Sequence, residues 1–156
     1  MSNFIVTGAA GFIGSALAAE LIKNGHTVVT IDNLSTGYET NIPDGVEFIL
    51  GDCGDKEAVK KIPERNYDAI FHIAGQSSGE ISFDDPVKDL SSNTESTLLL
   101  LDYCRSNNCK RFIYASSMSV YGTNDQEGLK ENDKCSPKSF YAVGKLASEH
   151  YLKIYK

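Results

Sequence analysis

The chain has 156 residues, 41% of them hydrophobic, which suits one domain with its own core and is too short for two. Its 15 basic and 21 acidic residues give a formal net charge of −6, so we expect no nucleic-acid partner. The longest aliphatic run, 98–101, is far below the roughly 20 residues of a membrane span, and the pattern that begins at residue 3 leaves no room for a signal peptide. We therefore expect a single cytoplasmic domain with no membrane partner.

Five short runs rich in β-branched and aromatic residues predict buried strands. They cover residues 3–7, 27–31, 46–50, 68–73 and 111–116. Helical patterns follow over about 12–24, 55–62, 88–107 and 138–155. Strands that alternate with helices predict a parallel sheet with right-handed crossovers, so we expect an α/β fold of the doubly wound type. The polar stretch 122–137 predicts an exposed loop that closes over a site.

The cysteines and histidines show no spacing typical of a metal site. The residues concerned are Cys53, Cys104, Cys109, Cys135, His26, His72 and His150. Because they contain no CxxC pair and no Cys/His grouping, we expect reduced thiols and no bound metal. His72 lies in the apolar run AIFHIAG. A hydrogen-bonded core histidine is the favoured interpretation, and a histidine in an active-site wall is the alternative.

The segment VTGAAGFIGS places Gly8, Gly11 and Gly14 between the first strand and the first helix. Glycines there permit a tight turn and close approach to a pyrophosphate, while the helix N-terminus offers free N–H groups to the anion. A plain strand-to-helix turn could carry the same triplet. Asp32 strengthens the first interpretation, because it ends the second strand 18 residues after Gly14. A carboxylate there can accept both ribose hydroxyls of an adenosine and repel a 2′-phosphate, which favours NAD over NADP.

Six motifs in chain order resemble those of one family. They are TGAAGFIG, DNLSTG, GD at 51–52, FHIAGQ at 71–76, SSMSVYG at 116–122 and YAVGK at 141–145. The chain is similar over essentially its whole length to the extended short-chain dehydrogenase/reductases, in the NAD-dependent epimerase/dehydratase branch that acts mainly on nucleotide sugars. The resemblance implies a Rossmann-type sheet and an NAD-binding domain over residues 1–156. It also implies that the substrate-gripping C-terminal domain of the family is absent from this chain.

The resemblance implies a set of residues that contact the cofactor. The backbone of Phe12 and Ile13 would face the pyrophosphate, and the Asp52 carboxylate would accept a hydrogen bond from the adenine amino group. Ser92 falls where relatives of the UDP-galactose 4-epimerase type carry a cofactor-contacting Asn. The set is Gly8, Gly11, Phe12, Ile13, Gly14, Asp32, Asn33, Leu34, Ser35, Thr36, Gly37, Asp52, Cys53, Ile73, Ala74, Gly75, Gln76, Ser77, Ser92, Tyr141 and Lys145.

Ser117, Tyr141 and Lys145 match the family's catalytic positions. Tyr141 and Lys145 are four residues apart in a helical pattern, which places them on one face. A phenol is a weak base at neutral pH, but a nearby ammonium and the positive nicotinamide ring both favour the phenolate. Tyr141 would take the proton from a sugar hydroxyl as hydride leaves the same carbon, and Ser117 would hydrogen-bond that oxygen. Without the other motifs, the pair would read as surface residues of an amphipathic helix.

Four positions depart from the family pattern. Phe140 stands where Pro is common, and Gly144 stands where Ser is common, although Gly inside a helix costs about 1 kcal/mol relative to Ala. Met118 and Ser119 follow Ser117, where dehydratase-type relatives carry an Asp-Glu pair. The resemblance therefore favours a UDP-sugar 4-epimerase that works through a transient 4-keto sugar. A nucleotide-sugar dehydrogenase or reductase is the alternative enzyme, and an NAD-binding fragment without turnover is the alternative of another class.

Relatives commonly dimerise through the two helices that here span about 88–107 and 138–155. The second of these carries more apolar residues than one sheet contact would need, so part of its surface should seek a partner. We therefore expect a homodimer. The apolar fifth strand, if it lies at a sheet edge, should also promote larger species, because its unpaired N–H and C=O groups invite another chain.

Overall fold

The computed structural model describes residues 1–109, 111–123 and 128–155. The strands are β1 (Asn3–Thr7), β2 (Thr27–Asp32), β3 (Glu47–Leu50), β4 (Ala69–His72) and β5 (Phe112–Tyr114). The helices are α1 (Phe12–Lys23), α2 (Lys56–Val59), α3 (Ile81–Asp84), α4 (Pro86–Leu90), α5 (Ser96–Ser106) and α6 (Phe140–Ile154). A π-helical segment, Ser91–Glu95, joins α4 to α5, and short 3₁₀ turns cover Glu39–Asn41 and Met118–Tyr121.

The five strands form one parallel sheet in the order β3-β2-β1-β4-β5. From β1 the chain first builds outward to β3 and then returns to add β4 and β5 on the other side of β1. The strand order therefore reverses between β1 and β4, where a crevice at the carboxyl ends of the strands is the usual ligand site of such sheets. The predicted doubly wound α/β fold is confirmed.

Apolar residues cover both faces of the sheet. Neighbouring residues on β1 point to opposite faces, so Ile5 packs in one cluster with Val29 and Leu100, and Val6 packs in the other with Val28 and Ala18. β1, β2 and β4 are mostly buried and read as continuous apolar runs, which is why the sequence pattern identified them. The prediction of buried strands is wrong for β3 and β5, because both lie at the edges of the sheet and contain no buried residue.

The boundaries of the helices differ from the sequence prediction in three places. The helix predicted at 88–107 begins at Pro86, capped by the Asp85 side chain, and is interrupted by the π-helical segment. The helix predicted at 55–62 shortens to α2, with only turns between Val59 and Pro63. Helix α3 was not predicted, because its four residues are too few for a periodic pattern.

The polar stretch predicted as a loop over 122–137 includes residues 124–127, which lie outside the described residues. The described part is tied to the body where Ser136 N–H donates to the Val120 carbonyl at 3.0 Å. Its closure over a site stays a prediction. Among the helices that the structure describes, none has the length and apolar character needed to cross a membrane.

Candidate active site

The turn between β1 and α1 is closed so tightly that two of its glycines cannot carry a side chain. Gly8 has φ +77°, and a Cβ there would lie 2.8 Å from Ala74 N. A Cβ on Gly14 would lie 2.1 Å from the Gly8 carbonyl oxygen. At Gly11 the corresponding distance to the same oxygen is a tolerable 3.3 Å. Two of the three predicted glycines therefore serve close approach of backbone to backbone.

The N-terminus of α1 offers free backbone donors at this turn. Gly11 caps the helix without a side-chain hydrogen bond, and no acidic residue lies in the first turn. The N–H groups of Phe12, Ile13 and Gly14 precede the first intrahelical bond, Ser15 N–H to the Gly11 carbonyl at 3.0 Å. The side chains of Phe12 and Ile13 are 92% and 61% exposed. Donors at a helix N-terminus beside a glycine turn fit a pyrophosphate.

Asp32 at the end of β2 links the next loop to this turn. Its Oδ2 accepts from Ala10 N–H at 3.0 Å, and its Oδ1 accepts from Leu34 N–H at 2.8 Å. Gly37 packs on the same turn, because a Cβ there would lie 2.6 Å from the Ala10 carbonyl. Each carboxylate oxygen keeps a second lone pair, which fits the role predicted for a ribose-binding acid.

The remaining predicted residues of this loop lie at its outer surface. Ser35 and Thr36 are exposed, and Leu34 has φ +57°, the left-handed region that is strained for a branched side chain. Asn33 is also exposed and donates from Nδ2 to Asp52 Oδ2 at 2.7 Å, which joins the loops that follow β2 and β3.

Asp52 and Cys53, which follow β3, have opposite environments. Asp52 Oδ1 accepts from Gly54 N–H at 2.8 Å, so the carboxylate is fixed at the edge of the crevice. Cys53 is 5% exposed and packs in the core cluster with Ile31. Burial raises the pKa of the Cys53 thiol well above its ordinary value, so the side chain is an inert core group. Only its backbone can face an adenine.

The loop after β4 is fixed against the glycine turn. Thr7 Oγ1 accepts from Ile73 N–H at 3.1 Å and from Ala74 N–H at 3.0 Å. Its hydroxyl lies 2.8 Å from His72 Nδ1, and His72 Nε2 lies 3.3 Å from Ser96 Oγ. Burial, with the Lys145 charge, lowers the pKa of His72 to about 3. The favoured interpretation of His72 as a hydrogen-bonded core residue is confirmed.

Gly75, Gln76 and Ser77 continue this loop toward α4. A Cβ on Gly75 would lie 3.5 Å from Lys145 Nζ, which brings the loop against the predicted catalytic residues. Gln76 is half-buried, and its Nε2 donates to the Ser78 carbonyl at 2.6 Å and to Asp89 Oδ1 at 3.0 Å. Ser77 is exposed.

Tyr141 and Lys145 lie one turn apart on α6 and are 8% and 4% exposed. Lys145 Nζ donates to the Ala115 carbonyl at 3.0 Å, beyond the end of β5. Nζ is also 5.6 Å from the centroid of the Tyr141 ring and 4.8 Å from that of Tyr114. Burial lowers the pKa of Lys145 to about 8, opposed by the charge of Asp89. The structure therefore places the Lys145 ammonium beside the Tyr141 ring in the protein interior.

Ser117 begins the 3₁₀ turn that packs on α6, two residues after the carbonyl that holds Lys145. Its Oγ accepts from Ser119 N–H at 3.2 Å and is 2.8 Å from Ser119 Oγ. The structure thus places all three predicted catalytic residues around the carboxyl end of β5 and the adjoining face of α6.

The π-helical segment contains the predicted Ser92 and, directly after it, Asn93, a residue that the sequence analysis missed. Ser92 is half-buried, and its carbonyl accepts from Ser96 Oγ at 2.7 Å. Asn93 is fully buried, and a Cβ on Gly75 would lie 2.5 Å from its Oδ1. Asp89, Asn93 and Thr97 follow at intervals of four, so polar residues recur on the face that also carries buried leucines. That polar stripe could have identified Asn93.

Gly144, the departure from the family pattern in α6, lies against this segment. A Cβ there would lie 3.0 Å from Thr94 Oγ1, which donates to the Gly144 carbonyl at 3.3 Å. The missing side chain therefore permits close packing of α6 on the π-helical segment, which accounts for a helical glycine that the sequence left unexplained.

In the ranges that the structure describes, no three His, Cys, Asp or Glu side chains converge in a way that could hold a metal ion. The four cysteines are unpaired, and all but Cys135 are buried.

Comparison with known proteins agrees with the geometry. The chain is 39% identical over 158 residues to the UDP-glucose 4-epimerase of Mycolicibacterium smegmatis, covering 97% of this chain and 50% of that protein. It superposes with a TM-score of 0.93 and 34% identity on the UDP-glucose 4-epimerase of Thermotoga maritima with UDP-glucose, covering 98% of this chain and 50% of that chain. The superposition on the Thermus thermophilus UDP-glucose 4-epimerase in complex with NAD has a TM-score of 0.91 and 39% identity. It covers 98% of this chain and 50% of that chain.

The chain thus spans about half the length of these relatives. A model of the family described as the NAD dependent epimerase/dehydratase family matches residues 4–156. This match covers nearly every residue, including the glycine turn and the Tyr141–Lys145 pair, and the chain belongs to the NAD dependent epimerase/dehydratase family.

Proposed function

We propose that this chain carries the cofactor-binding and catalytic residues of an NAD-dependent epimerase that inverts C4 of a UDP-sugar. The observation that supports this most is the position of the buried Tyr141–Lys145 pair, which shares the carboxyl edge of the sheet with the glycine turn and Asp32. UDP-sugar 4-epimerases are the relatives that share the fold at 34% and 39% identity.

The proposed chemistry uses three side chains of α6 and the β5 end. Bound NAD would supply the acceptor for the hydride that leaves C4 of the sugar. Tyr141 takes the proton of the C4 hydroxyl and later returns it, which is the general acid–base step. Lys145 stabilises the phenolate by its charge, and the Ser117 hydroxyl binds the sugar oxygen. Met118 and Ser119 provide no acid for a leaving hydroxyl, so these residue types favour epimerisation over dehydration.

The choice of NAD is tested at Asp32. NAD should bind at least about tenfold more tightly than NADP, and Asp32→Ala should erase most of this preference, because tenfold is about 1.4 kcal/mol and one charged acceptor can supply it. Asp44→Ala, which removes an exposed carboxylate, is the control and should keep the preference. Equal affinities for the two nucleotides in titration calorimetry of the unchanged protein would refute the assignment of Asp32.

The reaction is tested by incubating the protein with UDP-glucose and following UDP-galactose by NMR. Epimerisation should proceed without net NADH, because hydride returns to the sugar. Stoichiometric NADH with an oxidised sugar would indicate the dehydrogenase alternative. Tight NAD binding with no turnover of any UDP-sugar would support the remaining alternative, an NAD-binding fragment without catalytic activity.

We also propose a homodimer and a cytoplasmic location. The dimer would form through what we call the α4/α6 patch, Val87, Leu90, Phe140 and Val143, which are 77%, 56%, 48% and 53% exposed. Helices α4 and α6 pack side by side, so the four side chains share one apolar surface of the kind that marks an interaction site. Four unpaired cysteines support a reducing compartment.

A further inference from the structure

Asp89, in the last turn of α4, is a carboxylate in the protein interior. It is 2% exposed, which is rare for an acidic residue without a compensating partner. Its Oδ1 accepts from Gln76 Nε2 at 3.0 Å and from Asn93 Nδ2 at 3.1 Å. Its Oδ2 has no hydrogen-bond partner among the described residues. Both contacts are donated by amides to Oδ1, and a carboxylate oxygen can accept both.

The side chain of Asn93 and the backbone of Gly75 lie between Asp89 and Lys145, although Asn93 Oδ1 has no hydrogen-bond partner among the described residues. The amide of Asn93 donates to Asp89 from Nδ2, and its Oδ1 lies against Gly75. A Cβ on Gly75 would lie 2.5 Å from Asn93 Oδ1 and 3.5 Å from Lys145 Nζ. On the helix side, a Cβ on Gly144 would lie 3.9 Å from Asp89 Oδ2. The carboxylate and the ammonium therefore flank the same small group of backbone and amide atoms.

Two of the other titratable groups around Lys145 are neutral and cannot replace the charge of Asp89. Tyr114 on β5 is a neutral phenol, because burial raises its pKa to about 12. His72 on β4 is neutral, because burial lowers its pKa to about 3. Tyr141 lies on the same helix, and Glu149, one turn further along, accepts from Ser116 Oγ. From α4, Asp89 is the carboxylate whose charge opposes the fall of the Lys145 pKa.

We propose that Asp89 is a positioning residue: its buried carboxylate is the counter-charge that keeps Lys145 an ammonium, and through Gln76 it holds the loop after β4 in place. Burial lowers the pKa of Lys145 to about 8, and the Asp89 charge opposes this. Burial likewise raises the pKa of Asp89, and the bonds from Gln76 and Asn93 and the Lys145 charge oppose it. The consequence for catalysis rests on the proposed function, whereas the charge pairing does not.

Asp89→Asn separates charge from structure, because an asparagine keeps an oxygen that can accept from both amides. In the cofactor-free protein, lysine ¹³Cε NMR should show the pKa of Lys145 falling by about one pH unit. Asp102→Asn, which removes an exposed carboxylate on α5, should leave it unchanged. An unchanged Lys145 pKa in Asp89→Asn, or an equal fall in Asp102→Asn, would overturn the pairing.

The reciprocal measurement does not require the Asp89 variant to fold. In Lys145→Met the pKa of Asp89, followed by carboxyl ¹³C NMR, should rise above its value in the unchanged protein, because the ammonium that favours the carboxylate is gone. No rise would contradict the proposal.

Where the protein turns over a UDP-sugar, Asp89→Asn should also move the alkaline fall of kcat/KM to lower pH, since Lys145 loses its proton earlier. If the pKa of Lys145 falls but the alkaline fall of kcat/KM stays at the same pH, the charge pairing stands and the positioning role is refuted. Absence of turnover in the unchanged protein contradicts the proposed function and leaves the NMR result to decide the pairing.

Discussion

Tyr141 is the residue on which the proposed acid–base step depends. Tyr141→Phe removes only the hydroxyl, so cofactor affinity should stay nearly unchanged. Turnover of a UDP-sugar should fall by about 10² or more, the range expected for the loss of an acid–base group. Steady-state kinetics with calorimetry of NAD binding checks both. Tyr151→Phe, on the same helix and half-buried, is the control. Wild-type turnover in Tyr141→Phe would mean that another group moves the proton.

His72 predicts an acid sensitivity of the fold. Its pKa is lowered from 6.5 to about 3, so between these values the unfolded chain binds a proton at this position and the folded chain does not. This stabilisation is complete above pH 6.5 and is lost as the pH falls, by about 1.4 kcal/mol per pH unit. The advantage of the unchanged protein over His72→Gln in free energy of unfolding should therefore shrink by about 2 kcal/mol between pH 7 and pH 5.

Urea unfolding at the two pH values measures this difference. His150→Gln removes an exposed histidine and is the control for losing an imidazole. Stability curves of the unchanged protein and His72→Gln that run parallel from pH 7 to pH 5 would contradict the assignment of the acid sensitivity to His72.

Helix α1 depends on its close contact with the glycine turn. Gly14→Ala would place a Cβ 2.1 Å from the Gly8 carbonyl oxygen, a backbone atom that cannot rotate away. The forced shift of α1 should lower the free energy of unfolding by about 2–3 kcal/mol. This cost exceeds the gain of roughly 1 kcal/mol from replacing a helical glycine by alanine, so the variant should be less stable than the unchanged protein. NAD affinity should fall too, because the donors of α1 move.

Gly11→Ala is the matched variant in the same turn. Its Cβ would lie 3.3 Å from the same oxygen, and replacing a capping glycine by alanine is a small change, so stability should fall by at most about 1 kcal/mol. Chemical denaturation of both variants makes the comparison. If Gly14→Ala and Gly11→Ala lose the same stability, the cost comes from replacing any glycine of this turn and not from the close contact of α1 with Gly8.

At the scale of the whole molecule, the exposed apolar α4/α6 patch predicts that two copies of the protein form a dimer. Val143→Glu places a charge at the centre of the patch, where it would be buried in a dimer and solvated in a monomer. Light scattering at about 100 µM should show a dimer of the unchanged protein, since even an association of micromolar strength is populated there, and a monomer of Val143→Glu. Leu50→Glu, at a position 60% exposed on β3 at the opposite edge of the sheet from β5, should remain dimeric. A monomer in the unchanged protein would refute the proposed interface.

The edge of the sheet predicts a second kind of association for a protein of residues 1–156. β5 pairs with β4 on one side, and no strand in the described ranges pairs with its other side. A groove of about 910 Å³ lies beside it, lined by residues such as Leu101, Phe112 and Leu152. Species larger than a dimer should therefore grow with concentration. Ile113→Lys, at a position 41% exposed on β5, should suppress them. A dimer that never grows in light scattering would contradict this prediction only.

The sequence alone determined the features that depend on neighbours in the chain. Buried strands such as β1 read as apolar runs, the glycine triplet follows directly on β1, and Tyr141 and Lys145 share a helix face by their spacing. The family followed from the same local motifs. These features were predictable because backbone conformation and helical periodicity act over a few residues.

The tertiary structure decided the features that need distant parts of the chain. The π-helical segment is held from outside, where Ser148 Oγ donates to the Asn93 carbonyl at 3.2 Å and Thr94 Oγ1 to Gly144. The burial of Asp89 beside Lys145, 56 positions away in sequence, has the same origin. Helical periodicity cannot reveal such pairs, because the free energy of burying a charge depends on groups that only folding brings together.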